Sequence, residues 1–472
     1  MEQINHALVA FANFVWGTPI LILLLGGGGF FVLYSRLLPY RHFRHAFHII
    51  RGAYDDPRES GDITHFQALS GALAGTIGLG NIAGVAVAIH VGGPGAMFWM
   101  WMSALVGVCT KFFTCTLSIM YRGRDSRGAL QGGPMYVVTE GLGPRWRPLA
   151  ILFAVAGLFG TLPVFQVNQL TQIMRDVVAV PNGWAGHGHF DFDLLFGLAT
   201  AAMVALVLFG GIRRVGAVAS RLVPLMVAGY GLMTLYVLVA YRAEIPASLA
   251  LIVHDALTGQ AAAGGVLGAV ILTGVRRGAF SNEAGIGTEA MAHGAARTDE
   301  PVREGLVAMV GPVIDTLVVC TCTALAILVT GVWRGADANG VTLTAHAFER
   351  AMPGMGAYLL TVMVFVLSIS TMFTYGYYGA KCTNFLLGAE RQHYHRYLYV
   401  ALIVVGAVAS LEAVISLIDG MYALMAIPTM VSAIVLAPRV MRAAEDYFER
   451  HGLAGSRRRP AELSRQREGN PD

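Results

Sequence analysis

The chain has 472 residues, of which 55% are hydrophobic and only 13% are charged, and its mean hydropathy is +0.59. Because soluble domains carry about 25% charged residues, this composition excludes a soluble globular protein and predicts an all-α polytopic membrane protein. The net charge of +4 comes from basic residues in loops between apolar runs, so it does not indicate nucleic-acid binding. Met1 to Gln3 carry no basic residue, which predicts a retained first helix rather than a cleaved signal peptide.

Apolar runs long enough to cross a bilayer recur along the whole chain. A window of about 20 apolar residues predicts about eleven transmembrane helices. The predicted spans cover residues 14–33, 66–90, 96–120, 149–172, 194–211, 215–236, 264–292, 305–330, 356–387, 398–417 and 419–440. The polar links between them are too short for an extended soluble domain.

Arginine-rich links between the predicted spans alternate with links that are poor in arginine. The rich ones are residues 36–58, 122–147, 213–214, 297–303, 391–396 and 457–459. Because positively charged loops stay in the cytoplasm, we expect the N-terminus outside and the C-terminus inside a bacterial inner membrane.

The second predicted span contains glycines and small polar residues at positions 75–84, Gly-Thr-Ile-Gly-Leu-Gly-Asn-Ile-Ala-Gly. Glycine weakens a helix interior by roughly 1 kcal/mol relative to alanine. Backbone groups that are freed within a bilayer must be satisfied by protein, water or ligand. The run therefore predicts an unwound helix with a binding site at the membrane midplane, and the alternative is close helix packing through small residues.

The two ends of such a break offer different ligands. Amides after Gly78-Leu79-Gly80 lie at the positive end of a helix dipole and favour a carboxylate. Carbonyls near Ala74 and Ile77 suit a small hard cation, and Asn81 adds a neutral oxygen that suits sodium. The glycine spacing is one residue longer than in a dinucleotide loop and lies in an apolar span, so no organic cofactor is expected.

A second interruption, Phe-Ser-Asn-Glu-Ala-Gly-Ile-Gly, follows at residues 280–287. Paired broken helices in two halves of a hydrophobic chain are typical of secondary transporters. When the first span is set aside, the breaks fall in the first and sixth of ten helices, and the two groups of five enter the membrane from opposite sides. This predicts a five-plus-five inverted repeat: residues 61–245 and 246–445, preceded by an N-terminal helix and basic segment (1–60) and followed by a disordered cytoplasmic tail (446–472).

Acidic residues within predicted spans mark a pathway, a proton relay or an ion pair. Glu283 and its neighbour Asn282 lie in the second break, with Arg276 and Arg277 about two turns earlier. A structural pair between Glu283 and one of these arginines and a direct role in coupling or gating are both open. Asp315 in the next span either lines the pathway or caps a neighbouring helix.

Neutral polar residues in two later spans are further candidates. Gln166 lies shortly after Pro163, which disturbs the backbone of the fourth predicted span. Ser370 and Thr371 lie in the eighth core helix, which this topology places opposite the first break. They are predicted cation or substrate ligands, and the alternative is that their hydroxyls bond their own backbone.

Five segments together resemble the alanine or glycine:cation symporters, also called sodium:alanine symporters, over nearly the whole chain. They are residues 75–85, 92–101, 132–136, 210–215 and 277–287, of which Arg-Gly-Ala-Phe-Ser-Asn-Glu-Ala-Gly-Ile-Gly is the most specific. The resemblance implies a fold like that of the bacterial leucine transporter and cotransport of sodium with a small neutral amino acid.

The resemblance also implies roles for individual residues. The substrate-binding set is Gly78, Leu79, Gly80, Asn81, Gln166, Phe280, Thr371 and Tyr375, and the sodium set is Ala74, Ile77, Ser370 and Thr371. Several positions depart from the family pattern. They are Thr114 and Ala380 where glutamate is usual, Leu162-Pro163 where Gly-Asn is usual, Tyr375 where tryptophan is usual, and Tyr422 and Thr429 where asparagine is usual.

These observations predict a secondary active transporter that moves alanine, glycine or serine with sodium by alternating access. The substitutions near Gln166 and at Tyr375 leave the choice of amino acid open. A proton-coupled carrier that uses Glu283 is one alternative, and a non-transporting amino-acid receptor is the other. An enzyme is disfavoured because the sequence contains no assembled nucleophile–base set and no cluster with metal-ligand spacing.

Overall fold

The computed structural model describes residues 2–185, 189–209, 211–258, 266–335 and 338–453, and all structural statements below concern these residues. Helices account for nearly all of the regular structure. The described strands, Gly123–Arg124 and Leu130–Gln131, form a short antiparallel hairpin. The predicted all-α class is confirmed.

The helices follow one another along the chain with short links. In the first half they are Glu2–Val15, Thr18–Leu21, Ile22–Gly26, Gly27–Tyr34, Leu38–Arg41, Phe43–Ile50, His65–Thr76, Gly80–Gly84, Val85–Gly92, Ala96–Met120, Pro134–Tyr136, Val137–Leu142, Pro144–Trp146, Arg147–Gly160, Val164–Ile173, Met174–Ala179, Phe190–Leu208 and Gly211–Ala240. In the second half they are Arg242–Glu244, Ile245–Leu257, Val266–Asn282, Thr288–His293, Pro301–Ala308, Val310–Pro312, Val313–Cys320, Thr321–Thr330, Val341–Ala351, Gly356–Leu387, Gln392–Val408 and Leu411–Arg450.

Seven of the described helices are long and apolar enough to cross a membrane, and the number rises to nine when each of two bent pairs is taken as one span. The two other predicted spans overlap helices of 17 residues, Val266–Asn282 and Gln392–Val408. The total of eleven crossings and the inverted repeat therefore stay predictions.

The structure corrects two predicted span boundaries. The first span, predicted at residues 14–33, is instead a pair of helices that meet at Trp16-Gly17 with a bend of 49°. The division between the last two spans lies at Ala409-Ser410 rather than near Ile418. Ser410 begins the final helix because its hydroxyl accepts a hydrogen bond from the amide of Ala413 at 3.4 Å.

Two groups of helices are distinguished by their packing. In the first group, Val266–Asn282 and Pro301–Ala308 pack along Ala96–Met120, and Thr288–His293 packs on both His65–Thr76 and Ala96–Met120. In the second group, Arg147–Gly160 packs on Leu411–Arg450 and Phe190–Leu208 on Gln392–Val408. Gly356–Leu387 packs on Arg147–Gly160 and on Gln392–Val408 and so belongs to the second group. The two broken helices belong to the first group and contact Gly356–Leu387, which places both breaks at the boundary between the groups.

Some predicted features fall outside the described residues. These are Gly210 of one family segment, the beginning of the span predicted at 264–292, and residues 454–472 of the predicted tail. The final helix continues to Arg450, so the first part of that tail segment is helical.

Candidate functional site

The two breaks lie against each other. His65–Thr76 starts with a capping box at Thr64 and ends at Ile77, whose ψ of 92° is not helical, and the pair His65–Thr76 and Gly80–Gly92 bends by 50°. A Cβ built on Gly80 would lie 3.4 Å from the Cα of Ser281 and from the ring of Phe280. The absence of a side chain at Gly80 therefore allows the second broken helix to approach the first.

Asn81 joins the first break to two other segments. Its side-chain oxygen accepts the amide proton of Gly78 at 2.9 Å, and its Nδ2 donates to Asp315 Oδ1 at 2.7 Å and to Ser281 Oγ at 3.2 Å. The side chain is fully buried. It thus holds the break in shape through protein contacts, and its predicted contact with a substrate carboxylate stays a prediction.

Asp315 is a buried carboxylate that accepts hydrogen bonds from neutral donors. Besides Asn81, the hydroxyls of Ser281 and Thr316 donate to Oδ2 at 2.8 and 2.7 Å. Cys320 Sγ lies 3.1 Å from Ser281 Oγ, within the same cluster. Asp315 therefore lies at the junction of the two breaks and the helix Val313–Cys320.

Glu283 does not pair with either predicted arginine, and that interpretation is wrong. Arg277 instead forms an ion pair with Asp419 of the final helix, and Arg276 Nη2 donates to the carbonyl of Ala12 at 3.1 Å. The physical reason is the turn of the chain at Glu283, where φ is +57°. The arginines precede this turn on the helix, and the carboxyl leaves the helix at it.

The partners of Glu283 are hydroxyls from both helix groups. Thr288 Oγ1 donates to Oε2 at 2.6 Å, whereas the hydroxyls of Tyr375 and Tyr422 donate to Oε1 at 2.6 and 3.1 Å. The neighbouring Asn282 accepts the amide proton of Ala284 at 3.0 Å and thereby holds the turn. Glu283 therefore connects the second break to the helices that pack outside its own group.

The predicted cation ligands are partly brought together. Thr371 Oγ1 lies 2.9 Å from the carbonyl oxygen of Ala74, and a Cβ built on Gly78 would lie only 2.5 Å from the same hydroxyl. Ser370 Oγ and Thr371 Oγ1 also lie 2.9 and 3.0 Å from the carbonyl oxygen of Leu367 in their own helix, which is the alternative considered for both hydroxyls. No described contact tests the carbonyl of Ile77.

Aromatic side chains cover the first break. The ring of Phe280 lies edge-on to Phe165 at 5.0 Å between centroids and 5.8 Å from the ring of Tyr422. Gln166 follows Phe165 and is buried, and within the described part of the chain its Oε1 has no hydrogen-bond partner. The Phe280 ring thus packs directly against Gly80 at the first break.

Sequence reasoning missed Ser281, Cys320 and the role of Tyr422. The departures from the family pattern offered one signal for Tyr422. In the structure, four of these departures contact the segment 283–289. Tyr375 and Tyr422 bond Glu283, Thr114 Oγ1 donates to Glu289 Oε1 at 3.2 Å, and Thr429 Oγ1 donates to the carbonyl of Ile286 at 2.9 Å. The departures are therefore grouped around the second break.

Comparison with known proteins agrees with this architecture. The model of the sodium:alanine symporter family matches residues 1–459. An uncharacterized transporter of Haemophilus influenzae is 37% identical over 95% of this chain and 97% of its own length. The sodium/alanine symporter AgcS of Methanococcus maripaludis is 37% identical over 93% of this chain and 96% of its own length.

A solved structure shares the fold. The crystal structure of MhsT in complex with L-phenylalanine covers 81% of this chain and 98% of its own, with a TM-score of 0.58 and 12% sequence identity. This likeness confirms the transporter fold that the sequence resemblance implied. With a family model that matches nearly every residue, the chain is a polytopic membrane transporter, not an enzyme, and it belongs to the sodium:alanine symporter family.

Proposed function

We propose that the chain is a sodium-coupled symporter of a small neutral amino acid (alanine, glycine or serine) that works by alternating access in a bacterial inner membrane. The observation that carries the proposal is the 2.9 Å contact between Thr371 Oγ1 of Gly356–Leu387 and the carbonyl of Ala74, just before the first break. Two hard neutral oxygens from different helices become cation ligands when the hydroxyl turns its proton away. A sodium ion bound there would link the broken helix to Gly356–Leu387.

The substrate would bind beside this cation. Its carboxylate would be held by the amides after Gly78, at the positive end of the helix that resumes at Gly80. Its side chain would meet the ring of Phe280, which lies 3.4 Å from the position of a Cβ on Gly80. The sodium/alanine relative supports a substrate with a small side chain.

Proton coupling is a second candidate, supported by Glu283. Its carboxyl is fully buried, lies at a residue with positive φ, and is surrounded by the hydroxyls of Thr288, Tyr375 and Tyr422. A carboxyl at membrane depth that bridges two helix groups is suited to take up a proton in one conformation and to release it in another.

The test is uptake of radiolabelled alanine by the purified protein in liposomes. One set has an inward sodium gradient at equal pH, and the other has an inward proton gradient without sodium. Accumulation driven only by sodium supports the proposal, and accumulation driven only by protons supports the second candidate. Saturable binding with no accumulation in either set would contradict both and indicate a receptor. Competition by glycine, serine and phenylalanine then defines the substrate class.

A matched pair of variants tests the cation ligand. Thr371→Val keeps the shape of the side chain but removes the hydroxyl, whereas Thr374→Val removes a hydroxyl that bonds its own helix at 3.4 Å. We expect the sodium concentration for half-maximal uptake to rise about tenfold or more in Thr371→Val, because about 1.4 kcal/mol of lost binding corresponds to tenfold. Thr374→Val should stay within about twofold. Equal sodium responses would refute the assigned ligand.

A further inference from the structure

A surface groove lies between the N-terminal part of the chain and the final helix, and it shares no residue with the candidate site. One wall is the N-terminal segment that carries Arg36 and Arg41, and the other is the face of Leu411–Arg450 that carries Glu445 and Glu449. The groove has a volume of about 590 Å³, and we call it the Arg–Glu groove. Two positive and two negative side chains thus line one space from different walls.

The charges on the two walls do not pair with each other. Within the described part of the chain, none of the four charged side chains forms an ion pair or a side-chain hydrogen bond, and all four are exposed. By contrast, Arg450 at the end of the same helix pairs with Glu300 at 3.0 Å. Walls that keep opposite charges apart leave space for a molecule that carries the complementary pair of charges.

Contacts between aromatic rings hold the two walls together. The ring of His42 stacks on the ring of Phe448 with 3.8 Å between centroids, and both residues line the groove. Beside them, His45 Nε2 lies 2.8 Å from the Tyr447 hydroxyl. Because these contacts join the N-terminal segment to the final helix, the groove is formed before any ligand binds.

The backbone of the N-terminal wall is strained. Arg36 and Leu37 have φ values of +51° and +61°, in a region that residues other than glycine, asparagine and aspartate seldom adopt. Arg36 lines the groove, whereas Leu37 does not line it and is 47% exposed. Strain of this kind persists where the surrounding structure imposes it, and it is concentrated at ligand-binding sites.

The position of the groove indicates a lipid as its occupant. The candidate membrane span that precedes it ends at Tyr34, and Leu33 in that span is 79% exposed. Basic residues that directly follow a membrane helix are typical contacts of phospholipid headgroups. Glu445 and Glu449 would repel a headgroup that is only negative. The groove therefore favours a headgroup that carries a positive charge as well as a phosphate.

We propose that the Arg–Glu groove binds a phospholipid whose headgroup carries a primary amine, the chemistry of phosphatidylethanolamine. Arg36 and Arg41 hold the phosphate, because a guanidinium donates two parallel hydrogen bonds to phosphate oxygens. The ammonium group donates hydrogen bonds to the carboxylates of Glu445 and Glu449. The acyl chains extend along the apolar surface that includes Leu33. This site does not depend on the transport function proposed above.

The test is the retention of lipid by the purified full-length protein. The protein is incubated in mixed micelles with equal amounts of dioleoyl phosphatidylethanolamine, phosphatidylcholine and phosphatidylglycerol, purified again in detergent, and analysed by native mass spectrometry. The quaternary ammonium of phosphatidylcholine has no N–H to donate, and phosphatidylglycerol has no amine. We expect phosphatidylethanolamine to be retained at least about threefold more than either, since exposed charge pairs contribute up to about fivefold each. Equal retention of the three lipids, or a preference for phosphatidylglycerol, would overturn the proposal.

Two double variants examine the two halves of the headgroup separately. Glu445→Gln/Glu449→Gln removes the carboxylates, and we expect the most strongly retained lipid to change from phosphatidylethanolamine to phosphatidylglycerol. Arg36→Gln/Arg41→Gln removes the phosphate ligands, and we expect retention of phosphatidylethanolamine to fall at least about threefold. A preference for phosphatidylethanolamine that survives in either double variant would overturn the proposal.

The matched controls lie on the same final helix but outside the groove. Asp446→Asn and Arg442→Gln each remove an exposed charge beside the lining residues. Both should retain the three lipids in the same ratio as the parent, and size-exclusion profiles would show that all variants fold. A control that loses the preference as the double variants do would show that general surface charge, not the groove, selects the lipid. Because retention is measured without transport, a failure of the proposed symport would leave this result unaffected.

Discussion

At the scale of single residues, the candidate site depends on glycines, which have no side chain. Gly78 and Gly80 bring backbone so close to Thr371 and Phe280 that a methyl group has little or no room. A glycine in a membrane helix has two explanations, close packing or unwinding. Here both hold, because the chain unwinds after Thr76 and the unwound backbone then packs against other helices.

Substitution of Gly78 by alanine tests this closeness. A Cβ at Gly78 would lie 2.5 Å from Thr371 Oγ1, whereas a Cβ at Gly71 meets no atom within 4 Å. We expect Gly78→Ala to lower the initial rate of alanine uptake more than tenfold and Gly71→Ala to leave it within twofold. Size-exclusion profiles would show that both variants fold. Normal uptake by Gly78→Ala would mean that the contact with Thr371 is not needed.

At the scale of elements, a buried ion pair connects two helices that are far apart in the sequence. Arg277 and Asp419 are each at most 3% exposed and connect Val266–Asn282 to the final helix. Trp16 adds a hydrogen bond from its indole nitrogen to the Asp419 carbonyl at 2.7 Å, so the N-terminal helix is held at the same point. This junction anchors the helix that carries the second break.

Removal of Arg277 should destabilise the protein strongly. Arg277→Gln leaves the buried carboxylate of Asp419 with the longer contact to Arg276, at 3.7 Å. Breaking a buried pair on one side costs about 3–5 kcal/mol, so we expect a clear fall in the thermal unfolding temperature in detergent. The double variant Arg277→Gln/Asp419→Asn should recover part of the loss. Arg58→Gln, which removes an exposed pair with Asp56, is the control and should unfold at the parent temperature.

A histidine in the short helix Phe43–Ile50 is expected to make the stability of the folded state depend on pH. His45 is buried and its Nε2 lies 2.8 Å from the Tyr447 hydroxyl of the final helix. Burial, and secondarily neighbouring positive groups, lower the pKa of His45 to about 4. Since the unfolded chain takes up this proton near its ordinary pKa of about 6.5, the folded state is favoured fully above that pH and loses the contribution as the pH falls toward 4.

The expected outcome is an unfolding temperature that falls as the pH is lowered from 7 to 4. His45→Gln should show a weaker dependence on pH over this interval, because the titrating imidazole is gone. His48→Gln is the matched control, since His48 lies exposed on the same helix and should leave the dependence unchanged. Parallel curves for the parent and His45→Gln would contradict the assignment.

At the scale of the whole molecule, sequence patterns predicted the broken helices and the family, but not the partners across the fold. Glycine clusters inside apolar runs predicted the breaks, because a continuous membrane helix that satisfies its own backbone hydrogen bonds rarely contains them. The bond from Asn81 to Asp315 crosses 234 residues, and that from Arg277 to Asp419 crosses 142. No local pattern encodes such pairings. The boundary at Ser410 was missed because hydropathy stays high on both sides, and only its capping hydroxyl marks the break.

Glu283 shows why composition alone is insufficient. A buried acid needs partners, and an ion pair with one of the nearby arginines was one of the two interpretations that the sequence left open for Glu283. The left-handed turn at Glu283 directs the carboxyl toward two tyrosines instead. Those tyrosines occupy positions where the family pattern has other residues. Because the two positions are far apart in the chain, the sequence did not show that both contact Glu283.

The proposed coupling makes a quantitative prediction for the whole transporter. If sodium at Ala74 and Thr371 and the amino acid at the adjacent amides stabilise the same closed state, each must raise the affinity of the other by one common factor. Coupling free energies are typically about 1–3 kcal/mol, or roughly 5- to 150-fold in affinity. We expect the Kd of alanine to fall by such a factor at saturating sodium, and the Kd of sodium to fall equally at saturating alanine. Binding measured by calorimetry in detergent would give both fold-changes in Kd. In Thr371→Val, both fold-changes should approach a value of one, which means no coupling. Unequal factors in the parent would break the thermodynamic cycle, and factors of one would show that the two ligands do not share a conformational state.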